Sequence, residues 1–159
     1  MPQYFAFGSN MNAARMHERL GWSPQCFAAM LPNYRLLFNK QVPSGRWCVA
    51  NIEPVPGQEV EGIVYTVKQQ DLDILDGYEG VGGGHYERKA VTVFPESGEP
   101  IAAITYAGLM TGTEKPPTRE YLNHLLAGEP LLSGDYFRRL QQTSVYNETP
   151  AAEQHWLSE

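Results

Sequence analysis

Between Cys26 and Val67 the chain leaves no room for crossover connections, and this limits its fold more than any other feature. Four β-type segments occupy residues 26–31, 34–41, 47–53 and 60–67, rich in aromatic, aliphatic and β-branched side chains. Only Pro32-Asn33, Pro43-Ser44-Gly45 and the Pro- and Gly-bearing stretch 54–57 separate them. A parallel neighbour needs a connection of about a dozen residues, whereas turns this short join antiparallel strands. An aromatic run at 4–7 precedes them and stops at Gly8. Strands at 86–94 and 101–109 follow, joined by a turn at Ser97-Gly98. The expected fold is α+β, a single domain with a mostly antiparallel, six-stranded, partly closed β-barrel and flanking α-helices.

Helical signals lie outside this run. Asn10 or Asn12 caps a helix over 12–20, with Gly21 as its stop. Asp71 opens a short helix through Leu72, Ile74 and Leu75 that carries the chain to Tyr78-Glu79. Beyond Pro117, the residues Tyr121, Leu122, Leu125 and Leu126 recur at helical spacing, and Ser133 caps a last helix through Tyr136, Phe137 and Leu140. Residues 1–143 form the domain. Residues 144–159 are a tail without periodicity, flexible or docked through Trp156-Leu157.

Composition narrows the function. A formal charge of −6 with scattered Lys and Arg argues against nucleic acid as a partner. No apolar stretch approaches the ~18–20 residues of a membrane span, and the first residues have neither a basic nor a long apolar leader region, so no membrane association and a cytoplasmic location are expected. Cys26 and Cys48 match no metal or redox spacing and read as two reduced core thiols. The histidines His17, His85, His124 and His155 form no ligand pattern, so no metal is expected.

Three segments carry candidate chemistry. Gly80-Val81-Gly82-Gly83-Gly84 follows a helix and precedes a strand, the reverse of a dinucleotide loop, and reads as a mobile loop or a close backbone approach. Ser9, with His85 as base, is a conceivable nucleophile, but its surroundings lack the G-x-S-x-G elbow and a turn role suffices for it. Glu79 ends an apolar helix, where the negative end of the dipole disfavours a carboxylate. Partial burial there would raise its pKa towards the range useful for a general acid-base, while an exposed surface glutamate is the bland alternative.

Taken together, these segments resemble a known family. Tyr4-Phe5-Ala6-Phe7-Gly8-Ser9-Asn10-Met11 resembles the signature strand and turn of the γ-glutamylcyclotransferases, with Phe7 where that family usually has tyrosine. Leu75-Asp76-Gly77-Tyr78-Glu79-Gly80, with Tyr86 seven positions after the glutamate, resembles the second signature, and Tyr106 matches a third aromatic position. Pro116-Pro117, Tyr121, Leu131-Leu132 and residues 136–140 are similar to the classical branch, so the resemblance spans about residues 3–142. It implies a small mixed β-barrel and an enzyme that releases 5-oxoproline from γ-glutamyl amides without a cofactor.

The resemblance also implies roles. Glu79 would be the catalytic acid-base. Phe7, Gly8, Ser9, Asn10, Tyr86 and Tyr106 would bind substrate. The substrate's own α-amine attacks its γ-amide carbonyl, so no catalytic Ser or Cys is required, and ring closure benefits from effective molarities of ~10⁵–10⁸ M. Residues 43–47 and 80–85 are the loops expected to recognise the leaving amine. The implied partner is a small γ-glutamyl molecule, with the chain a monomer or homodimer. Two other readings stand beside this one: a binding module without turnover, and a Ser9-dependent amidase.

Overall fold

The computed structural model describes residues 1–146. Five strands close into one barrel in the order β1 (Gln3–Ala6), β3 (Cys48–Thr66), β2 (Cys26–Gln41), β4 (Tyr86–Pro95), β5 (Ile101–Gly108) and back to β1. Every pairing is antiparallel except β1 with β5, which run parallel at Tyr4 and Ile104. Outside the barrel lie α1 (Ala13–Leu20), α2 (Gln69–Glu79), α3 (Arg119–Leu126) and α4 (Gly134–Gln141). No described helix is long and apolar enough to cross a membrane.

The barrel has five strands, not the six expected. Of the seven β-type segments, 26–31 joins 34–41 and 47–53 joins 60–67, because prolines that look like strand ends are bulges inside longer strands. β2 and β3 form one ribbon from Cys26 opposite Tyr65 to Gln41 opposite Cys48. Its register slips between Pro32 and Tyr34, where residues 55–58 of β3 face only one residue of β2. Asn33 takes a left-handed conformation at φ 63 there, and its Oδ1 accepts a hydrogen bond from the Gly57 N–H at 3.0 Å. A proline at a bulge removes no ladder hydrogen bond that the ribbon needs, so both strands run on.

The helix signals act where the sequence places them. Asn12 caps α1 by accepting from the N–H groups of Ala14 and Arg15, and Gly21 ends it at φ 79. Ser133 caps α4, and Thr118 caps α3. Asp71 lies in the first turn of α2, which begins at Gln69. Its buried carboxylate accepts from the Lys68 N–H at 2.8 Å and from the Trp22 indole at 3.1 Å, tying the start of α2 to the end of α1. The two helices that supply most of the charge in the site are thereby fixed to one another.

Barrel closure needs one glycine. At Gly62 a Cβ would stand 2.4 Å from the Ala6 carbonyl oxygen and 2.7 Å from the Phe5 ring. The apolar interior includes Phe5, Val60, Val64, Leu75, Leu122 and Leu125, all fully or almost fully buried. Of the two cysteines, Cys48 is a buried thiol as expected. Cys26 is exposed, because it begins β2 rather than lying within it, and no disulfide joins them.

The tail expectation is only partly within view. The Tyr146 ring lies against that of Trp47, tilted by 40° with 5.3 Å between centroids, and the Tyr146 N–H donates to the Pro117 carbonyl. Trp156-Leu157 lie outside the described residues.

Candidate active site

One recess gathers most of the expected residues. Phe7, Gly8, Ser9 and Asn10 enter from the turn after β1, Glu79 from the end of α2, Tyr86 from the start of β4 and Tyr106 from β5. All seven line it. Residues 43–47 and 80–85 do not. The glycine stretch is a short 3₁₀ turn over Val81–Gly83 instead of an open loop. His85 packs against Gly80, where a Cβ would come 2.7 Å from its ring, and is not a lining residue.

Glu79 is the last residue of α2, and Gly80 closes the helix behind it at φ 68. The residue as a whole is half-buried. Burial pushes its pKa above the ordinary glutamate range. Arg19 and Arg15 pull the other way, and the Asp76 carboxylate adds to the rise. The result is a carboxyl group that keeps its proton to a higher pH than a surface glutamate does.

The turn is held from three sides. Met11 N–H donates to the Gly8 carbonyl at 3.0 Å, closing the turn, and Tyr65 donates to the Asn10 carbonyl at 2.7 Å. The Asn10 side chain donates to Tyr4 Oη at 3.0 Å and accepts from Arg19 at 3.1 Å. Arg19 also lies over the Tyr78 ring, 4.5 Å from its centroid. The guanidinium therefore joins the turn to the last residues of α2.

The aromatic wall is anchored to backbone and to charge. Tyr86 donates to the Ala50 carbonyl at 2.7 Å. Tyr106 donates to Asp76 at 2.7 Å, and Asp76 receives two further bonds from Arg88, at 2.8 and 2.7 Å. Burial raises the Asp76 pKa, but the hydrogen bonds from Arg88 and Tyr106 outweigh it and hold the carboxyl below its usual range. Burial keeps the Tyr4, Tyr86 and Tyr106 phenols far above theirs, and Tyr121 is pushed up to about 12, so all four are protonated at neutral pH.

Sequence reasoning missed Arg19, Tyr4, Tyr121 and Ala50 as members of this site. Arg19 lies in a short amphipathic helix and looks like a solvated charge. Tyr121 looks like a core residue of α3. Only its reach to Ala50 on β3 brings it to the recess. Among the described residues no group of His, Cys, Asp and Glu is arranged to hold a metal.

Comparison with known proteins agrees with this architecture. The AIG2-like family profile matches residues 59–140. The chain is 34% identical over 130 residues to the mouse γ-glutamylcyclotransferase, covering 79% of this chain and 68% of that one. The human γ-glutamylcyclotransferase is 35% identical over 130 residues, with the same coverage. The chain belongs to the γ-glutamylcyclotransferase family. A solved γ-glutamyl cyclotransferase superposes on this family member with a TM-score of 0.84 at 26% identity, covering 98% of this chain and 95% of its own. A bacterial protein, YkqA of Bacillus subtilis, shares the cyclotransferase fold at a TM-score of 0.78 and 23% identity over 91% of this chain and 56% of its own.

Proposed function

We propose that this protein releases 5-oxoproline and a free amine or amino acid from a γ-glutamyl amide, with Glu79 as the general acid-base and no cofactor. The observation that carries the reading is a carboxyl group of raised pKa in the same recess as the Gly8-Ser9-Asn10 turn. Family membership supports the reaction class, since the mouse and human relatives are named for it.

The residues suit the chemistry step by step. A bound α-ammonium is inert until it loses a proton, and the ionised Glu79 carboxylate takes it. The freed amine then attacks the γ-carbonyl carbon to close a five-membered ring. Glu79 returns that proton to the departing nitrogen, whose bond to the carbonyl carbon breaks. The second proton, carried by the ring nitrogen after attack, leaves through the same carboxylate to the released amine, which departs as its ammonium. Backbone N–H groups of the turn offer donors to an anionic part of the substrate without requiring a lysine. Gly8 gives close access to them. Phe7 adds an apolar wall where the family usually carries a phenol.

The test is product analysis across a panel of γ-glutamyl amino acids, γ-glutamyl amines, isopeptides and glutathione. The reading expects 5-oxoproline plus the free amine from at least one member. Free glutamate would instead indicate hydrolysis, and ligand-induced thermal stabilisation without product would indicate a binding module.

A further inference from the structure

Four buried phenols line the recess, and they differ in where their protons go. Tyr86 spends its proton on the Ala50 carbonyl and Tyr106 spends its own on Asp76. Tyr121 does the opposite. Its Oη accepts from the Ala50 N–H at 3.1 Å, and a backbone N–H can only donate. No described residue accepts the Tyr121 proton. Tyr4 also accepts: Arg19, a donor only, fixes the Asn10 oxygen on its own side, so the Asn10 amide nitrogen faces Tyr4. Tyr86 and Tyr106 thus donate to protein acceptors, whereas Tyr4 and Tyr121 accept from protein donors.

Of these, Tyr121 stands directly on the turn. A Cβ at Gly8 would come 3.2 Å from its Oη, and both residues line the recess. The Ala50 N–H donating into the phenol oxygen polarises its O–H bond and strengthens its own donation. We propose that Tyr121 is a catalytic residue, donating its hydrogen bond to the carbonyl oxygen of the scissile amide as that oxygen becomes negative.

This rests on the cyclotransferase reading and deepens it. As the α-amine nitrogen bonds to the carbonyl carbon, the C=O π pair moves onto oxygen, and Tyr121 holds that charge without giving up its proton. Glu79 serves the two nitrogens on the same tetrahedral carbon. When the leaving nitrogen departs with the proton from Glu79, the oxygen pair re-forms the carbonyl of 5-oxoproline. The acid-base and the oxyanion donor are then separate groups, as the charges require: a carboxylate would repel the oxyanion.

Wild-type protein is first assayed for 5-oxoproline release; absence of release from every γ-glutamyl substrate would overturn the reaction and this assignment together. With release established, Tyr121→Phe is expected to lower kcat by about 10²–10³-fold, with a much smaller change in KM. Tyr121→Phe also removes an acceptor from the Ala50 N–H, so a second variant series keeps the ring and the oxygen. Ring-fluorinated tyrosines at position 121, of stepwise greater acidity, are compared at a pH where each stays protonated. A donor to a developing oxyanion predicts kcat that changes systematically with phenol acidity. A flat series, or unchanged kcat in Tyr121→Phe, would overturn the role of Tyr121 while leaving the cyclotransferase reading intact.

Discussion

Arg19 donates a hydrogen bond to the Asn10 side-chain oxygen at 3.1 Å, so the first helix of the chain sets the orientation of the turn that precedes it. The same guanidinium is the strongest influence holding the Glu79 carboxyl down against burial. Arg19→Met therefore loses both effects. Without the positive charge the Glu79 pKa rises further, and the carboxylate form is lost at higher pH. The acidic limb of the pH–kcat/KM profile is expected to move upward, with kcat/KM at neutral pH down about 10–100-fold as the turn loses its anchor. A profile whose acidic limb stays in place would contradict the coupling.

A second expectation concerns stability and pH. The folded pKa of Glu79 is raised above its unfolded value, so the fold favours the protonated carboxyl. Below the unfolded pKa both states are protonated and the group contributes nothing to pH dependence. Above the folded pKa the ionised carboxylate costs stability. Glu79→Gln is expected to raise Tm at pH 7–8 by a few degrees, roughly 2–4 °C for each kcal/mol in a chain of this size. The gain should shrink as pH falls towards 4, which thermal melts across pH would reveal.

Asp76 has the opposite sign. Its folded pKa is depressed, because the bonds from Arg88 and Tyr106 outweigh burial, so it stabilises the fold above the ordinary aspartate range and loses that effect as pH falls through the depressed value. Asp76→Asn is expected to cost about 1–2 kcal/mol near neutral pH, since Tyr106 and Arg88 lose a charged acceptor at a partly exposed site. Denaturation curves at pH 7 and below 3 should differ in that cost, with little left at the lower pH.

Gly62→Ala tests barrel closure. The added methyl would overlap the Ala6 carbonyl oxygen and the Phe5 ring, neither of which lies at a flexible side-chain end. A loss of about 3 kcal/mol, at the upper end for overpacking, or failure to fold is expected in chemical denaturation. Ordinary stability in this variant would mean that β1 and β3 do not approach as described.

Much of this was legible in the chain because its signals are local. Asn12, Gly21 and Ser133 act on groups a few residues away, so capping chemistry identified them. The Gly8-Ser9-Asn10 turn and Glu79 lie in two contiguous motifs that are informative when read together and in order. The strand count was not legible, because Pro32 and Pro54 end a strand or bulge it depending on whether the partner strand bulges too. Tyr121 was hidden for a related reason. Its role depends on meeting Ala50, a contact 71 residues apart in sequence that no local pattern encodes. Cys26 misled by apolar neighbours, since a strand's first residue can face solvent.

The central claim is that Glu79 moves the proton that ring closure requires. Glu79→Gln keeps the shape and polarity of the side chain and removes only its capacity to take a proton. With folding established by circular dichroism and thermal melt, 5-oxoproline release from the best γ-glutamyl substrate is measured for both proteins. The expected result is a folded variant, at least as stable as wild type at pH 7, whose release falls by about 10²–10⁴-fold. A folded Glu79→Gln protein that releases 5-oxoproline at the wild-type rate would contradict the account.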